Sequence, residues 1–566
     1  MSSLTIGPDL RAGRRPHAYS GPPGGRALPS LLTIAIFAIC ACKKAPPAPA
    51  AAGSGKPAAH QVVYVGNGGE PQDLDPQAIT GIPEHQLARA LFEGLLTEDP
   101  ADLHPVAGVA SSWDISPDGQ VYTFHLRPNA KWSNGDPITA DDYVQSYRRM
   151  VSPNFASEYA YLVYNFMAGA KDYYDGRLSD PSKIGAKAID EHTLEVTLAN
   201  PTPYLLRIIA SHASWNAIPP KVVTRFGPLD QKATAWTRPG NLVSNGPFML
   251  KEWTPQQRIV VVRNPHYWDA ANVKADEIVF YPTESQVVDE RMFRTGQVDM
   301  TYEFPIAKID TYKRENSTAL RIEPYLGVYF YRCNVARPPL NDKRVRRALA
   351  LAIDRETIVE RVMRGGQRPA YAVSYPGVAG YAPRAQLSGT GDEAKRLLAE
   401  AGFPDGAGFP TIELSYNTAE NNQAVAQAVQ DMWRRNLGVQ ISLVNQEWKV
   451  YLDAQHTKNY MIQRAGWIAD YVDPHTFLEL WETDNGNNDT NWSNAEYDRL
   501  LHAALAAKTT EERYEIYQKM DAILVDELPV IPIYYYTTVR ALNPKIHGYH
   551  PTLLDNHPWK YFWREE

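Results

Sequence analysis

Arg464–Pro474, RAGWIADYVDP, is the stretch on which the reading of this chain turns. It places one carboxylate, Asp470, three residues after Trp467 on a segment that is otherwise mostly apolar. Asp473-Pro474 has the form of a helix start, with Asp473 as N-cap and Pro474 in the first helical position, where a missing N–H costs nothing. Asp473 thus has a structural task and Asp470 has none. An ionised carboxylate among apolar neighbours needs a cation, because an unpaired buried charge is expensive. The residues alone offer two sources: Arg464 on the same segment, or a ligand.

The 566 residues are 44% hydrophobic and 21% charged, with a formal net charge of −7. That is the composition of a globular protein of about three domains at roughly 100–200 residues each. No basic surplus invites a nucleic acid. Three cysteines are present, Cys40, Cys42 and Cys333. The first two end an apolar run, which leaves Cys333 alone in the folded part. It is expected to be a buried small hydrophobe, not half of a disulfide.

Arg11, Arg14, Arg15 and Arg26 precede the apolar run Leu31–Ala41. That run is too short for the roughly 20 residues that span a bilayer, and it has the anatomy of a secretory signal. Ile39-Cys40-Ala41-Cys42-Lys43 resembles a bacterial lipoprotein cleavage site with Cys42 as the lipidated first residue. Residues 1–41 are therefore expected to be a signal peptide. Residues 42–60, rich in Pro, Ala and Gly, are expected to be a tether.

Beyond Gln61 strands and helices mix, without a regular βαβ rhythm. His192–Leu198, Val121–Leu126 and Arg258–Arg263 alternate apolar and polar residues as half-buried strands do. Asn341–Asp354 places Val345, Ala348, Leu349 and Ala352 on one helical face, capped by Asn341 or Asp342. Gln423–Leu437 does the same with Val425, Val429, Met432 and Trp433 and stops at Gly438. Val530–Tyr536 is strongly β-prone, and Val62–Val65 leads into a glycine turn. No HExxH, GxSxG or CxxC occurs, and none of the 14 histidines stands at metal-ligand spacing from a second ligand. These observations favour a binding protein over an enzyme, with no cofactor.

Several further stretches share an order with a known family. They include EPQDLDPQAITGIPEHQLARALFEGLL at Glu70–Leu96, SWDISPDGQVYTFHLRPNAKWSNGDPITADD at Ser112–Asp142, and RNPHYWD at Arg263–Asp269. NDKRVRRALALAIDR at Asn341–Arg355, LVNQEW at Leu443–Trp448 and RAGWIADY at Arg464–Tyr471 follow. From about Gln61 to its end the chain resembles the large periplasmic oligopeptide-binding proteins, the solute-binding components of ATP-driven importers.

The resemblance implies an α/β, two-lobed flytrap fold with an additional inserted domain. Lobe I would take residues 61–92, 219–326 and 539–566; the inserted domain 93–218; and the last lobe 327–538. It implies a short peptide held extended between lobes by backbone hydrogen bonds to Thr80, Gly81 and Ile82 and to Gly466, Trp467 and Ile468. Asp470 would hold the peptide's α-ammonium and Arg464 its carboxylate, with Tyr159 and Trp448 lining the site. The implied partners are an importer's permease and ATPase subunits and a membrane reached by the lipid anchor. The implied state is a monomer in the periplasm of a Gram-negative-type bacterium.

Two departures stand out. A cysteine pair of some relatives falls here on Gly327 and Ile468. Basic groove residues of relatives fall on Met363 and Asn422, with Arg364 next to one of them as a substitute. Short peptides are therefore the expected ligands. Murein peptide, a dipeptide, glutathione, an opine or a nickel complex are the alternatives on the same fold. A periplasmic hydrolase or a ligand-free envelope lipoprotein would be a different kind of protein.

Overall fold

The computed structural model describes residues 60–566. The leader, Cys42 and all of the tether except His60 lie outside the described residues. Among the described residues no helix is long and apolar enough to cross a membrane.

The segments expected to alternate are all strands; one face of Val121–Leu126 and of Thr193–Thr197 meets a core, whereas Arg258–Arg263 buries Ile259, Val260 and Val261 in a row, on both faces. Val121–Leu126 buries every second residue and pairs antiparallel with Ala110–Ile115 and Thr193–Thr197 in a four-stranded sheet closed by Ala186–Asp190. Arg258–Arg263 lies in a second sheet, ordered Val62–Gly66, Glu277–Tyr281, Arg258–Arg263, Phe248–Thr254. Its core joins Val63, Val261 and Phe280 to Leu87 and Leu91 of the helix Ile82–Leu91.

The third sheet has six strands in the order Arg368–Pro369, Val530–Ala541, Leu320–Cys333, Ile462–Ile468, Ile412–Asn417, Ile441–Gln446. Leu320–Cys333 and Val530–Ala541, 14 and 12 residues long, are its longest members. One end of this pair, at Leu320 and Ala541, hydrogen-bonds to Thr301 beside the second sheet. The other end packs Tyr331, Cys333 and Ile531 into a separate core with Leu349, Val429 and Trp433. Two strands therefore cross between two cores, which is the two-lobed flytrap arrangement. Their ladder is interrupted between Pro324 and Val328, and such a break is where a paired ribbon bends most easily. Residues 95–217 have no core to themselves; they share one with Trp467, Phe477, Trp481 and Tyr517.

Local chemistry explains the helix ends. Asp342 caps Lys343–Leu351 by accepting the Arg344 N–H, and Gly438 closes Glu420–Leu437 with φ 69°. Cys333 is fully buried, which pushes its thiol up to about 12. One expectation needs correction: Asp99, Asp102 and His104 do come together. They form an exposed turn in which Asp99 and Asp102 accept the backbone N–H of Ala101 and His104, so these carboxylates are occupied as turn formers.

Candidate functional site

A cavity of about 300 Å³ opens between the lobes. Thr80, Gly81, Ile82, Tyr159, Trp448, Arg464, Gly466, Trp467, Ile468 and Asp470 all line it.

The floor is the strand Ile462–Ile468. On one side it pairs along its whole length with Cys333–Gly327. On the other, Ile412–Asn417 meets it only at Ile462 and Gln463. The edge from Arg464 to Ile468 is therefore open. The Ala469 N–H donates to Leu326 on the paired side, so alternation turns the backbone groups of Ile468, Gly466 and Arg464 toward the open edge. The Arg464 carbonyl is taken by the Tyr451 hydroxyl at 2.6 Å. Gly466 and Ile468 remain with free edge groups facing the cavity. Gly466 is needed here, because a Cβ would stand 2.4 Å from the Tyr536 hydroxyl that crosses the strand.

Asp470 follows directly. Its N–H donates to Thr476 Oγ1 at 3.0 Å, which also receives the Trp467 indole N–H. Its side chain is buried, and burial holds the carboxyl well above the usual carboxylate range. Oδ2 has no hydrogen-bond partner, and the nearest basic group is His212 Nε2, 3.7 Å from Oδ1. Asp473, by contrast, caps the turn Pro474–Phe477 as read from sequence and is bound twice by Arg513.

Arg464 does not neutralise Asp470. It donates to Tyr536 Oη at 2.6 Å and to Asn417 Oδ1 at 3.1 Å and lies over the Tyr329 ring. Among the described arginines of the cavity wall, Arg89, Arg332 and Arg540 pair with Glu98, Asp489 and Asp555. Arg464 has no carboxylate within ion-pair distance. A carboxyl group with no base bound to it and a guanidinium with no carboxylate at ion-pair distance, though Glu303 feels its charge, thus stand on and just beyond one strand, six residues and at most roughly 20 Å apart along the chain.

Trp467 is both core and wall: it is nearly buried, and its ring lies 6.3 Å from that of Tyr159. Trp448 stacks on Tyr451, donates to Glu84 and covers Gly81, where a Cβ would meet the indole at 2.7 Å. Gly81 is extended, but Ile82 is the first residue of a helix, so the second segment is not a strand of three residues. Pro83 in the first turn was the signal for that start. Gly327 and Ile468 are register partners, and the Ile468 side chain fills the place of a Gly327 Cβ at 2.4 Å. Met363 and Asn422 line the cavity. Arg364 does not substitute for them: it is bound to Asp310 at 2.6 Å and lies outside the lining.

Two features escaped sequence reading. His212 is a lone histidine with no flanking pattern. The second is a seam between lobes. Glu420 accepts the Ser285 hydroxyl and the Gln286 N–H, at the start of the helix Gln286–Arg294. Asn421 accepts the Ile306 N–H, at the start of Ile306–Arg314, and donates to Phe304. Two neighbouring side chains on one lobe thus satisfy orphan N–H groups of two helices on the other.

The family model for bacterial extracellular solute-binding proteins, family 5 (middle region), matches residues 104–489. The chain is 41% identical to the periplasmic oligopeptide-binding protein OppA of Salmonella typhimurium over 86% of its length and 90% of the relative's. Haemophilus influenzae OppA in complex with RPPGFSPFR superposes with a TM-score of 0.85 at 33% identity, covering 90% of this chain and all of that one. The Escherichia coli murein tripeptide-binding protein MppA gives 0.86 at 34% identity, covering 90% and 99%. An MppA structure described as the unliganded open form gives only 0.60 at the same identity, covering 91% and 99%. At equal identity that fall is a difference of lobe arrangement, and it agrees with the closed seam seen here. The chain belongs to the bacterial extracellular solute-binding proteins of family 5, and it is a binding protein, not an enzyme.

Proposed function

We propose that the protein binds short peptides with a free α-amine, in extended form, for an ATP-driven importer. The observation that carries this reading is the buried, unpartnered Asp470 carboxylate at the end of an open strand edge. A peptide laid along Gly466 and Ile468 is held by its main chain whatever its side chains. Its ammonium meets Asp470 and supplies the missing cation.

Arg464 is then the partner of the carboxyl end. An extended tripeptide spans roughly 10 Å, and the reach of the two side chains supplies the rest of the separation. Met363 and Asn422 offer no charge to the carboxylate of a longer peptide, so tripeptides bind best. Calorimetry with a series from di- to pentapeptide tests this; equal or tighter binding of the pentapeptide overturns the length preference.

Relatives named for oligopeptides, murein peptide, dipeptides and deoxycholate surround this chain at 30–41% identity. The free-amine anchor favours the peptide reading over the bile acid. A murein tripeptide shares the amine and competes with it in the same titration. The lobes we propose are residues 61–92, 219–326 and 539–566 against 327–538, with 93–218 inserted and the hinge at the ladder break. Cys42 as a lipid anchor at the periplasmic membrane surface completes the reading, and mass spectrometry of the native amino terminus tests it.

A further inference from the structure

The ligand amine, on the reading just given, meets more than a carboxylate. His212 is buried and packed between Tyr159 and His85, with ring centroids 4.3 and 5.0 Å away. Its Nδ1 accepts the Ser214 N–H at 3.2 Å and sits 2.9 Å from the Ser214 hydroxyl. Burial, with His85 and Arg89 nearby, holds the ring well below its usual pKa, so it is neutral. A neutral imidazole that accepts at Nδ1 carries its proton on Nε2. Nε2 has no partner and is 3.7 Å from Asp470 Oδ1, too far for a hydrogen bond as it stands. An orphaned donor therefore faces Oδ1 of a carboxyl group whose other oxygen, Oδ2, has no partner either.

We infer that His212 is a positioning residue for the ligand amine: its Nε2–H donates to Asp470 Oδ1 in the loaded state and leaves Oδ2 for the α-ammonium. Neither step needs a protonated histidine. Ser214 sets the tautomer, and the tautomer makes His212 a donor that cannot compete with Asp470 for the amine's protons.

The other groups around this pair do not replace the donor. Tyr159 and Tyr161 flank Asp470 with hydroxyls that burial keeps neutral. Glu479 lies beneath it with burial holding its carboxyl up, and its Oε1 is already bound by Tyr471 at 2.5 Å. Arg89, on the far side of His212, is paired with Glu98. Without the His212 donor the carboxylate is harder to ionise, so the loss of binding on acidification begins at higher pH.

The test is calorimetry with trialanine from pH 5 to 9 on the full protein and the variants H212N, H212Q and D470N. Asparagine keeps an acceptor for the Ser214 N–H and removes the Nε2 donor; glutamine returns an amide N–H near the Nε2 position. H212N is expected to weaken trialanine by roughly tenfold or more, the scale of a hydrogen bond to a charged group. The pH midpoint of binding should rise by about one unit, and H212Q should restore most of both. Wild-type affinity and midpoint in H212N, or the same loss at every pH with no rescue by H212Q, overturn the proposal. If D470N also binds trialanine as the wild type does, or the wild type does not bind it, the peptide reading itself fails. If D470N loses binding and H212N does not, only the role of His212 falls.

Discussion

The two ends of the cavity handle charge in opposite ways. At the Glu420–Asn421 seam every polar group that crosses between lobes finds a partner inside the protein. At Asp470 the side chain is only 9% exposed and Oδ2 finds none. A satisfied seam favours closure with any guest, because its bonds do not involve the guest. An unsatisfied carboxylate favours only a guest that brings a cation. Ligand shifts the open–closed balance by its preference for the closed state, and the two regions split that preference into a general part and a selective part.

The largest effect should come from removing the selective part. D470N, or acetylation of the peptide amine, should weaken binding by roughly two to three and a half decades, the scale of breaking a buried ion pair at ~3–5 kcal/mol. Titration calorimetry measures it. The same substitution should raise the melting temperature of the empty protein at pH 7. Burial raises the folded pKa of Asp470 above its unfolded value, so from the unfolded pKa upward the native state binds the extra proton and stability falls as pH rises. Asparagine removes that loss. A lower melting temperature at pH 7, together with unchanged affinity, would show that the carboxylate is a structural group.

Breaking the general part should cost less and fall on all guests alike. E420A leaves the first N–H of the Gln286–Arg294 helix unpaired and removes an acceptor from the Ser285 hydroxyl. Loss of hydrogen bonds to a charged group predicts weakening by roughly ten- to a hundredfold, the same for an amine-bearing and an N-acetylated peptide. Small-angle scattering of the ligand-free variant should show a larger radius of gyration. If E420A discriminates between the two peptides, the division between regions fails. R464M should come next, with roughly a tenfold loss for a tripeptide acid, at the weak end of a charged hydrogen bond, and little change for its C-terminal amide.

What the sequence disclosed follows the same line between local and distant. Val121–Leu126 was legible to the residue because alternation is local; Arg258–Arg263 has the expected bounds, but it buries Ile259, Val260 and Val261 in a row and does not alternate. Asp473 and Gly438 were legible because caps are written in adjacent residues. The helix expected from Gln423 begins three residues earlier, at Glu420, since no side chain caps it; Glu420 is spent on a partner 134 residues away, and no pattern within the helix records that. His212 was invisible for the same reason: its meaning depends on Ser214, Tyr159 and Asp470, of which only the first is near in sequence. The positions around Asp470 were read from family resemblance, and its isolation from Arg464 came only with the fold.

The smallest expected effect tests whether packing alone can imitate either region. Gly327 and Ile468 face each other across the ladder two residues before Asp470, and a Cβ on Gly327 would stand 2.4 Å from Ile468 Cδ1. G327A should therefore destabilise by about 1–3 kcal/mol, the cost of overpacking, as read from chemical denaturation. I468A removes the nearest clashing carbon but leaves the Trp467 carbonyl 2.9 Å away, so the double variant should recover only part of that loss, since neighbouring substitutions couple. Its affinity for free-amine peptides should stay within about threefold of wild type, because the edge groups of Ile468 are main chain and the charge at Asp470 is untouched. A double variant that folds well but loses the preference for a free amine would mean that the strand's packing, and not the unpartnered carboxylate, selects the guest.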